Sequence, residues 1–225
     1  MVFGNNHASS LSFFRELLYL RINTILPPEN RIASSNDLVK SLFTQENSFE
    51  ELVLAAEGVP RDFFNILHKA IILDYYNPIS IPTIRIAARN WFTEDKRGSI
   101  QANPETNRLL DWIIAVVINQ RQARAFMLRS NENDRLIDFL YDARILHIIK
   151  QNVSSRDTPG ERYNVYSIDY GCYVDLISTT RAPRGLFEDE IDENQTAFID
   201  VPKDDYRSIR RAILDLPKFY ASISS

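Results

Sequence analysis

The residues best placed to do chemistry are Gly58-Val59-Pro60-Arg61, and the chemistry they suit is the holding of a phosphate. Before them, Phe49, Leu52, Val53 and Ala56 recur at helix spacing; after them, Phe63, Leu67, Ala70 and Ile71 do the same. Gly58 is placed to end the first helix in the left-handed conformation that glycine takes readily. Pro60 is placed to start the second, where its missing N–H costs nothing. An arginine in a helix's first turn opposes the macrodipole, so local stability gives no reason for Arg61. A helix N-terminus with a guanidinium beside it does suit a phosphate. A tight helix–helix junction also accounts for Gly58 and Pro60, and Asp62 is placed to neutralise Arg61, so both readings stand on the pattern alone.

Other cations form two further candidate sets for phosphate or nucleic-acid contact. Arg85 and Arg89 lie one helical turn apart, opposite the Trp91 face, with Lys96 and Arg97 following. Arg156, within a turn-rich stretch, and Arg162, just after it, are balanced by Asp157 and Glu161. A solvated face is the plainer reading of each. His7, His68 and His147 have no metal-site spacing, and His147 reads as a core histidine on a half-apolar strand. Cys172, the one cysteine, reads as a small buried hydrophobe. Tyr163, Tyr166, Tyr170 and Tyr173 read as hairpin packing. The chain has six glycines and no G-x-x-x-x-G-K-[ST] phosphate loop. Ile71-Ile72-Leu73-Asp74 comes nearest to an apolar strand ending in a magnesium-binding carboxylate, but it continues a helix.

The run from Glu51 to Ala70, with LVLAAEGVPRDFFNILHKA as its main part, resembles the lid of AAA+ ATPases, in the origin-recognition and initiator-like branch. In that family a helix-initiating Gly-x-Pro-Arg carries the "sensor 2" arginine, which reaches the nucleotide's terminal phosphates. The resemblance implies this role for Arg61 alone. It implies no cofactor held by this chain itself, and ATP with Mg only alongside an ATPase core supplied in cis or in trans.

The elements around these residues read as two small domains, for which 225 residues suffice. Hydrophobic and charged shares of 44% and 25% are those of a globular protein. A net charge of −4 gives no global attraction to nucleic acid. No apolar run approaches the roughly 20 residues of a membrane span, and no signal peptide is evident, which together predict a cytoplasmic protein with no membrane partner. Residues 1–35 are expected to form an N-terminal helix, Leu11 to Leu26, apolar on most faces and stopped by Pro27-Pro28, then a linker. Residues 36–100 are expected to form a lid-like bundle of helices at Asn36–Thr44, Ser48–Glu57 and Pro60–Tyr76. A fourth opens at Pro82 with Ile84, Ala87, Ala88 and Trp91 on one face, and Lys96-Arg97-Gly98-Ser99 ends the bundle.

Residues 101–180 change character. A helix through Leu109, Trp112, Ile113, Val116 and Val117 is followed by a short strand at Ala123–Arg129 and a helix at Asn131–Tyr141. Ile145–Val153 and Tyr163–Ile168 alternate as a hairpin, with Ser154 to Gly160 at its tip. Asp142 to His147, Pro159-Gly160 and Asp169 to Leu176 resemble the winged-helix tails of bacterial ATPases in the same branch. Only one helix fits between first strand and hairpin, and its polar residues (Glu132, Asp134, Arg135, Asp138 and Asp142, with Arg144 just beyond) are acidic in balance and repel phosphate, which predicts weak DNA binding and favours protein docking. Residues 181–225 are expected to hold an acidic loop, Gly185–Gln195, and an amphipathic helix from Asp200-Val201-Pro202 to a stop at Pro217, with Tyr206, Ile209, Ile213 and Leu214 inward.

The fold class expected is mostly α with a small α+β part: lid bundle, winged-helix domain and C-terminal docking helix. The function implied is nucleotide sensing and partner engagement within an ATP-driven machine, not catalysis by this chain alone. The alternatives are a free-standing winged-helix nucleic-acid-binding regulator and a protein-interaction scaffold.

Overall fold

The computed structural model describes residues 7–154, 160–177, 179, 181–183 and 213–223. The protein is mostly helical, with one small antiparallel sheet, and it divides into two compact units, Met1–Phe92 and Thr93–Ser225. No helix of the described residues is long and apolar enough to cross a membrane.

The N-terminal unit holds α1 (His7–Ile25), α2 (Ser35–Leu42), α3 (Glu46–Ala55), α4 (Pro60–Leu73) and α5 (Ile81–Trp91). Side-chain caps set two of the helix starts. Ser34 accepts from the Asp37 amide at 3.1 Å and its hydroxyl donates to the Asp37 carboxylate at 2.6 Å, a reciprocal arrangement that satisfies an orphan donor. Ser80 does the same for Thr83 at the start of α5, where Pro82 sits in the first turn. Phe63 is the hub of the core: fully buried, it stacks on Phe14 of α1 at 4.8 Å and meets Phe49 of α3 edge-on at 6.3 Å. Ile84, Ala87, Ala88 and Trp91 form the buried face of α5, as their spacing predicts.

Three expectations change. The apolar residues of α1 do not imply burial on most faces: Phe14 and Leu18 are buried, whereas Phe13, Leu20 and Ile25 are exposed. Lys96-Arg97-Gly98-Ser99 does not end the bundle: the N-terminal unit closes at Phe92, Phe92–Lys96 follows α5 as a π-helical turn and Arg97–Ile100 (α6) is helical again. Glycine alone is a weak breaker when its neighbours favour the helix. The third helix also stops at Leu73, short of Tyr76; Asp74 caps it and accepts from the Thr83 hydroxyl, which ties the loop to α5 and occupies the carboxylate structurally.

In the C-terminal unit, α7 (Pro104–Ile113) starts on an Asn103 cap and runs into a π-helical stretch, Ile114–Gln120. Then come β1 (Ala125–Arg129), α8 (Arg135–Asp142), β2 (Leu146–Ser154) and β3 (Arg162–Ile168). The sheet order is β1-β3-β2, with β3 antiparallel to both neighbours; Met127 faces Val165 and Leu146 faces Ile168. Asp134 caps α8 through the Leu136 and Ile137 amides. The tip of the expected hairpin, residues 155–159, lies outside the described residues, as do the acidic stretch 185–195 and residues 200–212.

The end of the chain departs from expectation. Ile213 is in a bridge with Met127 rather than in a helix, and Pro217 sits in the first turn of α9 (Leu216–Ile223) instead of stopping one. Proline's missing N–H is harmless in a first turn, so the same residue that reads as a stop serves as a start.

Phe63→Ala should cost about 3–5 kcal/mol, because three helices lose their shared contact. Denaturant unfolding followed by circular dichroism measures this, and a loss under about 1 kcal/mol would remove Phe63 as the hub.

Candidate functional site

Arg61 is carried by the junction between α3 and α4. The chain leaves α3 through Glu57 (φ 48°) and Gly58 (φ 78°), two consecutive left-handed residues, and re-enters helix at Pro60. Gly58 takes the role its position predicts; the left-handed Glu57 has no sequence signal, since a buried glutamate is a poor candidate for that conformation. The two residues after Pro60 part ways. Asp62 is buried in the first turn of α4, where a carboxylate complements the dipole, while Arg61 is exposed. Its backbone carbonyl accepts from the Asn65 side chain at 2.8 Å.

A second cation stands near this helix start, and sequence reasoning missed it. The Arg21 guanidinium of α1 lies over the Phe64 ring, 5.7 Å from its centroid. Phe64 is three residues from Arg61 and so shares its face of α4. The signal was beyond reach in sequence, because the pairing of α1 with the first turn of α4 is a tertiary contact.

The remaining sequence candidates do not converge. Arg85 is ion-paired at 2.6 Å with Glu51, half-buried between α5 and α3. Arg89, one turn on, is exposed. Arg97 pairs with Asp111 at 2.7 Å, and Arg162 reaches across the hairpin to the Asn152 carbonyl at 3.2 Å. Arg156 lies outside the described residues. Cys172 is half-buried rather than buried.

Lys96 is a correction. It is 1% exposed and cannot contact nucleic acid from where it stands. The π-helical turn carries it into the core, where its ammonium donates to the Asp169 carboxylate. Burial of an ammonium costs several kcal/mol unless a counter-charge is at hand, and Asp169 supplies it. The other Asp169 oxygen accepts from the Gly171 amide at 2.9 Å, and His147 Nε2 lies 3.6 Å from the carboxylate, an ion-pair distance longer than a hydrogen bond. Next to Lys96, Asp95 pairs with Arg144 at 2.8 Å, and Arg144 is itself left-handed (φ 58°). Desolvation alone would raise the Asp169 carboxyl; Lys96, with His147 after it, outweighs that and holds it below the ordinary value. Among the described residues no group of three or more His, Cys, Asp or Glu is arranged to hold a metal ion.

Lys96→Ala should therefore destabilise the C-terminal unit by about 3–5 kcal/mol, by stranding a buried carboxylate. The lowered Asp169 carboxyl contributes stability that is present above the ordinary carboxylate range and lost as pH falls through its folded value. Urea midpoints measured from pH 7 downward should thus drop below roughly pH 4 in the wild type, and Asp169→Asn should remove part of that dependence.

No family model, curated protein or solved structure matches the chain.

Proposed function

We propose that the chain is the nucleotide-sensing lid and winged-helix engagement module of an AAA+ ATP-driven protein, with the ATPase core supplied in cis or in trans, in the cytoplasm. The observation that carries the reading is the junction itself: Arg61 is exposed in the first turn of α4 while its neighbour Asp62 is buried. A guanidinium held there, with helix amides behind it, has the chemistry to meet the terminal phosphate of a docking nucleotide. Arg21, on Phe64 beside it, adds a second cation to the same surface. ATP and its Mg would come with the core.

The element order of the C-terminal unit supports the winged-helix half: helix, strand, helix, then an antiparallel hairpin whose second strand pairs with the first strand. Its charges favour engagement of protein over DNA. Lys96 is buried, Arg97 is paired, and the exposed polar face of α8 carries Asp138 and Asp142. A free-standing nucleic-acid regulator and a pure interaction scaffold remain the competing readings, and both dispense with Arg61.

Arg61→Ala should leave the melting of the chain within about 0.5 kcal/mol of wild type, since an exposed side chain costs little to remove. ATP turnover of the ATPase joined to the chain should fall by the loss of a charge-assisted contact, about 1.5–3 kcal/mol. Unchanged turnover with lowered stability would make Arg61 structural and end the sensor assignment.

Duplex DNA should bind the chain weakly, with little sequence preference and a steep decline as salt rises. A tight, sequence-selective complex at physiological salt, measured by fluorescence anisotropy, would instead favour the regulator.

A further inference from the structure

The C-terminal unit holds a cleft of about 390 Å³, which lies within the roughly 300–1,000 Å³ of small-molecule sites. Arg121 enters it from the end of the π-helical stretch, Arg129 from the end of β1, and Glu132 from just beyond. The opposite wall is Leu214, Asp215, Pro217 and Lys218. That wall is fixed to the body of the unit: the Leu214 amide donates to the Met127 carbonyl at 2.9 Å, and Arg121 donates to the Ile213 carbonyl at 3.1 Å. Three of the charges in the cleft are already paired, Arg129 with Glu161 at 3.3 Å and Lys218 with Asp215 at 3.3 Å. Arg121 and Glu132 have no ion pair among the described residues. Arg121 stays accessible to solvent, yet the cleft walls take away enough water to lower it, and no carboxylate acts on it in return. Glu132 is half-buried and raised, first by that burial and then by Asp134 and Asp215, against the pull of Arg129. Arg121 is not among the charges that bear on it, so these two do not neutralise each other.

We propose that this cleft binds a small zwitterion, a free amino acid or a short peptide, with its carboxylate on Arg121, its ammonium on Glu132 and an apolar side chain against Leu214 and Pro217. A guanidinium carries five donors, and one bond to the Ile213 carbonyl leaves others for a ligand carboxylate. Both contacts would be charge-assisted hydrogen bonds in a partly desolvated setting, the stronger kind. A simple anion would satisfy Arg121 and be repelled by Glu132 and Asp215. A simple cation would satisfy Glu132 and be repelled by Arg121. A ligand with both charges meets both residues, and the apolar stretch of wall between charged groups suits the body that joins them. This inference is independent of the proposed ATPase role.

Isothermal titration calorimetry of the full chain with leucyl-leucine and with free leucine tests this. At least one should bind with a dissociation constant below about 10 mM, and the tighter of the two identifies peptide or amino acid as the source. Acetylating the ammonium or amidating the carboxylate of that ligand should each weaken binding about tenfold or more, the loss of one charge-assisted contact. Glu132→Gln should abolish the penalty of acetylation and keep that of amidation; Arg121→Ala should do the reverse. Absence of binding by both ligands overturns the proposal. So does an acetylation penalty that survives Glu132→Gln, which would place the ammonium elsewhere. Tighter binding of inorganic phosphate than of either zwitterion would make the cleft a plain anion site and overturns it too. Arg121→Ala also removes the bond to the Ile213 carbonyl; should its helical circular dichroism fall, the Glu132→Gln comparison alone decides.

Discussion

A buried ammonium governs the C-terminal unit. Lys96 enters the core from a π-helical turn, and the Asp169 carboxylate offsets the cost of burying its charge. Several elements meet at this one carboxylate: the turn that carries Lys96, the strand β2 that carries His147, and the exit of β3, where Asp169 also caps the turn at Tyr170–Cys172. Asp95, next to Lys96, and Arg144, just ahead of β2, form a second pair. A buried ion pair adds little over a well-packed apolar pair, yet losing one partner is severe, so the arrangement penalises any other registration of the turn against the sheet. Wider π turns are known to re-aim side chains at such positions.

The N-terminal unit is organised by apolar contact instead. Phe63 joins α1, α3 and α4, and its position one turn into α4 fixes what the neighbouring residues can do. With Phe63 and Asp62 turned inward, Arg61 is left outward by the 100° step of the helix. The exposure that makes Arg61 a candidate for phosphate is thus a consequence of core packing two residues away.

The chain end shows how a short element acquires structure. Ile213 to Ile223 has neither the length nor the caps to fold alone; the β1 edge, Trp112 and Asp134 supply what it lacks. In return it covers a strand edge that would otherwise be open to pairing.

Periodicity and punctuation were enough to read α1 to α5, α7, the strands of the hairpin, and α8 except for its start, which lies at Arg135 and not Asn131; α6 and α9 were not read. Ser34, Ser80 and Asn103 mark their helix starts by side-chain chemistry that acts within three residues, and Gly58 and Pro60 mark a junction by backbone restriction alone. Such signals are local, and so they are written in the sequence. The fate of each cation was not. Lys96 lies in a charged run that reads as a solvated face, and its partner Asp169 is distant in the chain. Arg85 reads as a surface cation until Glu51 is brought beside it, and Arg21 has no local mark at all. Pro217 misled because the same missing N–H permits both the end and the start of a helix; the groove beneath α9 decided which. Whether a charge is buried, paired or open to a phosphate depends on residues far apart in sequence meeting in space, and only the tertiary structure sets that.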